Sequence, residues 1–162
     1  RQRVIFMGVR KDLSAKAAYP RPLPYRYTLE ECISDDFVDG QRYWLSPRMK
    51  SWYENTPRGQ TLDIGNRIAE GGTSGITKTR HAWNQPAHTI MNHSNAGTCD
   101  AYHPDIPANF TISELKRICA FPDDFVLTGN YKQQWERLGR AVPPVMMSHI
   151  ATAIRDEVLC KL

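Results

Sequence analysis

Residues 110–125 read FTISELKRICAFPDDF, a stretch that carries its own start and stop signals. Thr111 and Glu114 stand at the Thr-x-x-Glu spacing of a capping box, in which a hydroxyl and a carboxylate satisfy the first free N–H groups of a helix reciprocally. Phe110 and Leu115 occupy the staple positions on either side of that start. Leu115, Ile118 and Cys119 then mark one helical face until Pro122 ends it. A helix with one apolar face needs a core to lie on.

Working toward the C-terminus, a short helix is expected around Gln133 to Leu138, ending near Gly139, and Pro143 and Pro144 suit the first turn of the next. In that last helix Met147, Ile150, Ala151, Ile154 and Val158 recur at one-face spacing, so it docks on something apolar. Working toward the N-terminus, Thr28 and Glu31 form another capping box at the start of TLEECISDDF. Beyond the Pro-rich YPRPLPYRY, the run Val4 to Val9, VIFMGV, is short, apolar and rich in β-formers, and reads as a buried strand of a larger sheet.

The middle is different. From Gln41 to Asn95 the periodicity fails and Gly, Asn, Thr, Arg and aromatic residues become frequent, which predicts loops and short strands rather than helices. Trp44, Trp52 and Trp83 are expected in the core of this segment. Residues 1–40, 41–95 and 96–162 carry net charges of +1, +4 and −1, so the middle holds the basic excess of a chain whose total is +4. A basic, carboxylate-poor segment suits a polyanion.

At 162 residues, 41% hydrophobic and 23% charged, the chain has the composition of one globular domain. No apolar run approaches the roughly 20 residues of a membrane span and no secretory pattern is visible, so the expectation is a soluble, intracellular protein. Cys32, Cys99, Cys119 and Cys160 are far apart with no CxxC pair, which argues against a disulfide framework. His81, His88, His93, Cys99 and His103 match no compact zinc spacing, and no metal is expected. The first residue is Arg1 and the first segment is already strand-like, as in a piece of something longer.

RQRVIFMGVR at 1–10, FTISELKRICAFPDDF at 110–125 and RLGRAVPP at 137–144 stand in one order. Together they resemble the last three sequence motifs of the DNA cytosine-5 methyltransferases, and QPAHTI at 85–90 with HP at 103–104 resembles the approach to the second. The resemblance implies an α/β (mixed) fold: a small irregular α+β recognition domain, plus the edge strand and C-terminal helices of a Rossmann-like methyltransferase domain whose N-terminal half is absent. It divides the chain into 1–40, the edge of the catalytic domain; 41–95, the target-recognition domain; and 96–162, the return with its C-terminal helix.

The resemblance further implies S-adenosyl-L-methionine as cofactor, double-stranded DNA as substrate, and a bacterial or phage-encoded cytoplasmic enzyme that flips a cytosine and attacks it with a cysteine. The family's nucleophile follows a proline, and none of the four cysteines does. No Gly-rich turn follows a strand at the start, and GGTSG at 71–75 and Glu54-Asn55 lie in the irregular segment, so the catalytic half is expected elsewhere. Arg1 and Arg3 match an Arg-x-Arg near the flipped base, where guanidinium forks hold phosphate and base oxygen. Gly139, Arg140 and Ala141 match residues beside the cofactor, with Arg140 where the family has Asn. Ser113 replaces the family's Arg, which weakens an internal salt bridge fixing the recognition domain.

For target reading, Arg and Asn bond guanine and adenine edges while Lys meets phosphate. Arg58, Arg67, Lys78, Arg80, Asn84, Thr89 and Asn92 are the candidates, Thr89 in HTI having the family's support. The alternative is a non-catalytic DNA-binding subunit of a split methyltransferase, or a stand-alone binder. The missing half leaves Val4 to Val9 and the face of Met147, Ile150 and Ile154 uncovered, which favours self-association.

Overall fold

Helix capping organises much of the chain. In the computed structural model, which describes residues 4–33, 40–72, 78–92 and 101–162, Thr111 Oγ1 accepts the Glu114 N–H at 3.2 Å and the Glu114 carboxylate accepts the Thr111 N–H at 2.6 Å. The chain divides into two compact units, one made of Arg1–Arg26 and Val142–Leu162, the other of Tyr27–Ala141.

The Tyr27–Ala141 unit contains α1 (Leu29–Cys32), α2 (Pro47–Glu54), α3 (Leu62–Glu70), β1 (Thr79–Arg80), β2 (Ala101–Tyr102), α4 (Ile112–Ile118) and α5 (Tyr131–Arg140). At α1 the Glu31 carboxylate takes both the N–H and the hydroxyl of Thr28, at 2.6 and 2.8 Å. At α5 Asn130 and Gln133 cap each other at 3.0 and 2.9 Å, and the helix runs through Gly139 to Arg140. The two strands pair in parallel, Thr79 with Ala101 and Arg80 with Tyr102. Single antiparallel bridges, Trp44 to Ala108, Tyr102 to Asn109 and Thr61 to Thr79, extend this ribbon on both sides.

One core gathers Leu29, Ile33, Ile90, Phe110, Leu115, Cys119, Trp135 and Leu138, which places both staple residues of α4 in it. A smaller one joins Tyr53, Leu62 and Tyr102. The helices α2 and α3 correct the expectation of loops and short strands over 41–95. Ser46 caps α2 and Pro47 takes its first turn; α3 starts after Thr61 and stops at Gly71 in the left-handed region, φ +69°. Two helices of eight and nine residues show too few turns for a periodicity to emerge from a Trp- and Gly-bearing segment. Trp52 is core, Trp83 is half-buried, and Trp44 is 67% exposed, so the core expectation holds for one of the three.

In the other unit, α6 (Pro144–Glu157) begins with Pro144 at its first position and is followed by a 3-10 turn, Leu159–Lys161. Ile150 and Val158 are buried and Ile154 is half-buried, while Met147 is exposed. Val4 to Val9 corrects a second expectation: it forms no strand, and Phe6 is 92% exposed. Its residues alternate between exposed and half-buried as an extended chain does, but no neighbouring strand among the described residues pairs with it, and β geometry is stable only in a ladder.

Among the described residues no helix is long and apolar enough to cross a membrane.

Candidate nucleic-acid interface

The unit Tyr27–Ala141 is held together by ionic and histidine contacts that sequence distance conceals. Arg42 reaches α4 across 72 positions, its Nη1 and Nη2 donating to the two Glu114 carboxylate oxygens at 3.0 and 2.5 Å. The two side chains are 8% and 1% exposed. Arg42 Nη1 also donates to the Asn109 carbonyl at 3.3 Å. The buried pair in this region is therefore Arg42 with Glu114, next to Ser113 in the sequence.

Two histidines are buried as well. His81 packs edge-on against His88 and Phe110, and its Nε2 accepts the His88 N–H at 3.1 Å. That leaves Nδ1 as the protonated nitrogen, 3.2 Å from the Tyr102 carbonyl. His103 Nδ1 accepts the N–H groups of Asp105 and Ile106, both at 3.1 Å, which closes the turn after β2. Burial, joined by the neighbouring His88 for His81 and by Arg42 for His103, pushes both rings down to about 4.

Both histidines are neutral in the folded chain near pH 7, whereas an unfolded chain takes up their protons near pH 6.5. Between those values the unfolded state binds more protons, so stability is complete above about pH 7 and falls as pH drops from 6.5 toward 4. For His81 alone the loss is on the order of 3 kcal/mol. Urea midpoints measured from pH 8 to pH 4 check this, and the slope is expected to fall by about half in a His81→Asn variant that remains folded, the His103 share remaining.

The candidate DNA contacts separate by what their donors already do. Arg80 is a structural arginine: its Nε donates to the Pro104 carbonyl at 2.8 Å, its Nη1 to those of Thr56 and Tyr53 at 2.9 and 3.3 Å, and its guanidinium lies 4.4 Å over the Tyr53 ring. Arg67 pairs with Asp63 one turn away on α3 at 2.9 Å. Arg58 is exposed and bonded to Asp105, whose other oxygen takes the Trp83 indole N–H at 2.7 Å. Asn84 and Thr89 are exposed, and Lys78 and Asn92 half-buried, on the segments flanking β1. Asp105 and Arg42 were not among the sequence candidates; no local pattern marks a carboxylate 47 positions from its arginine.

Arg1 and Arg3 lie outside the described residues. Gly139 is buried in α5, where an added Cβ would stand 2.4 Å from the Met91 carbonyl oxygen. That space belongs to the backbone of 91–92 and offers no cradle for a cofactor. Arg140 is exposed, 3.9 Å from Glu136, and the Ala141 N–H is bonded to the Arg137 carbonyl at 3.0 Å. These three residues alone do not fit S-adenosyl-L-methionine. A cleft of about 400 Å³ lies elsewhere, lined by Ser113, Lys116, Phe125, Leu127 and Tyr131 among others, and no candidate among the described residues borders it.

The family profile described as C-5 cytosine-specific DNA methylase matches residues 1–156. The chain is similar to type II methyltransferase M.PspPI of Psychrobacter sp. (strain TA137), 30% identical with 95% of this chain and 41% of that protein covered. It is also similar to M.Sau96I of Staphylococcus aureus, 25% identical with 95% and 39% covered. M.MthTI of Methanothermobacter thermautotrophicus is 24% identical, with 98% and 52% covered. The chain thus spans about half or less of the length of these relatives.

Proposed function

The chain belongs to the C-5 cytosine-specific DNA methylase family, and from that premise we propose that it is the C-terminal, DNA-recognising portion of an enzyme that methylates carbon 5 of cytosine in duplex DNA. The observation that carries this reading is the order of the units: Tyr27–Ala141 is inserted between two segments, Arg1–Arg26 and Val142–Leu162, that together form the other unit. An insertion of this kind suits a recognition body interrupting the edge of a catalytic domain. The basic segment 41–95 lies within it, and its exposed arginines Arg58 and Arg67 serve as DNA-facing groups.

The methyl group comes from S-adenosyl-L-methionine bound in the complete enzyme, and the attacking cysteine comes from outside these residues. This chain contributes duplex binding and orientation; Arg1 and Arg3 would steady the flipped cytosine and its phosphates. Gly139 to Ala141 act as packing and helix-end residues, with any cofactor contact limited to backbone. The protein is cytoplasmic on this reading.

Incorporation of tritium from labelled S-adenosyl-L-methionine into duplex DNA tests it. The protein expressed from its complete reading frame, or residues 1–162 mixed with an upstream half from the same source, is expected to incorporate label. Residues 1–162 alone are expected to incorporate none. Label with residues 1–162 alone would refute the division of labour, and DNA binding without label in any combination would favour a non-catalytic binding subunit.

A further inference from the structure

We infer that Arg58 reads a guanine: its charge is balanced by Asp105, and its remaining donors meet the O6 and N7 edge of the base rather than a phosphate. This rests on the reading above that the protein binds duplex DNA.

The residues Pro57-Arg58-Gly59-Gln60 make a tight turn closed by the Gln60 N–H on the Pro57 carbonyl at 3.2 Å. Gly59 has φ +79°, which a side chain would strain, and the Gln85 amide lies over it, 2.9 Å from where a Cβ would stand. The Gly59 N–H donates to the Arg80 carbonyl at 2.7 Å and the Arg80 N–H to the Gln60 carbonyl at 3.0 Å. Backbone bonds therefore pin the turn from one side and a side chain covers it from another. Arg58 stands at its tip, 51% exposed.

The guanidinium is held as firmly as its backbone. Its Nη2 is bonded to Asp105 Oδ1, Asp105 Oδ2 is held by Trp83, and the Asp105 N–H is held by His103. Nε and Nη1 of Arg58 meet no partner among the described residues. The other exposed arginines nearby differ: Arg48 has both Nε and Nη2 on Glu70 and lies over the Trp52 ring, and Arg67 is tied along its own helix.

A phosphate is bound chiefly by charge, and the carboxylate beside Arg58 would both cancel the attraction and repel the anion. A guanine edge is neutral and presents two acceptors in fixed directions, so a guanidinium that keeps its donors while a carboxylate balances its charge discriminates in favour of the base. Its orientation is set before DNA arrives, which spares the cost of ordering a long side chain.

The test is a binding selection on duplexes with a randomised core, using the protein from its complete reading frame, followed by affinity against salt. The parent is expected to enrich a motif with an invariant guanine. Arg58→Ala should lose that guanine while keeping the other positions, with affinity for the selected duplex down about 10–100-fold and the salt slope unchanged. Asp105→Asn frees the charge, and should raise non-specific binding, steepen the salt slope by about one and blunt the guanine preference. An Arg58→Ala variant that keeps every guanine overturns the inference. So does one that weakens all sequences alike with a slope shallower by about one, which is the signature of a phosphate contact. A parent that enriches no duplex overturns the DNA reading itself, and Arg58 with it.

Discussion

Replacing Glu114 by Ala is expected to destabilise the Tyr27–Ala141 unit by about 3–5 kcal/mol, a large share of what a domain of this size has. The carboxylate has two tasks in one buried place. It accepts both arms of Arg42 and the N–H of Thr111. Without it, a guanidinium only 8% exposed keeps its charge with the Asn109 carbonyl as its remaining partner among the described residues, and the first turn of α4 loses a cap. Removing one side of a buried pair costs far more than the pair contributes, because the partner stays desolvated. Glu114→Gln should cost less, since the amide oxygen still caps Thr111, and Arg42→Met combined with Glu114→Gln should recover part of the loss. Glu54→Ala removes an exposed i,i+4 pair with Lys50 and should shift stability by less than about 0.5 kcal/mol. Urea unfolding of the four variants measures the difference; equal midpoints for Glu114→Ala and Glu54→Ala would mean that the Arg42–Glu114 contact is as weak as a surface pair.

What was legible in the sequence was local chemistry. Thr28 with Glu31 and Thr111 with Glu114 announce helix starts because a cap is made within three residues, and Phe110 and Leu115 mark the core side for the same reason. The prolines at 143 and 144 announced α6 likewise. Contacts that join distant positions were not legible. Nothing near Glu114 says that Arg42 will pair with it, and nothing near Arg58 says that Asp105 will hold it. Arg80 shows the opposite error: by residue type it suits a base edge, yet three backbone carbonyls and a tyrosine ring have claimed it. Val4 to Val9 fails for a further reason, since a strand exists only with a neighbour and composition cannot supply one.

Gly65 explains why α3 was hidden, and it sets the second large effect. A glycine inside a helix costs about 1 kcal/mol relative to alanine, so LDIGNRIAE is a weak helix by propensity and reads as loop. In an isolated helix Gly65→Ala would be stabilising. Here it is expected to destabilise by about 3 kcal/mol, because tertiary packing outweighs propensity. A Cβ at position 65 would stand 1.8 Å from the Trp52 carbonyl oxygen and 2.3 Å from Thr56 Oγ1, and the first of these is backbone that cannot rotate away. The helices α2 and α3 would have to part, breaking the indole bond from Trp52 to Glu70 at 2.8 Å. Gly72→Ala, whose Cβ would meet nothing nearer than the Asn66 amide at 3.8 Å, is the control and should be close to neutral. The connection between the two helices is the segment that carries the Arg58 turn, so parting them also moves Arg58 away from Asp105. Thermal unfolding and the duplex selection should therefore change together in Gly65→Ala, with a lower midpoint and a lost guanine preference. A variant as stable as the parent would show that α2 and α3 do not cross at Gly65, and a lower midpoint with the guanine retained would uncouple the crossing from the turn.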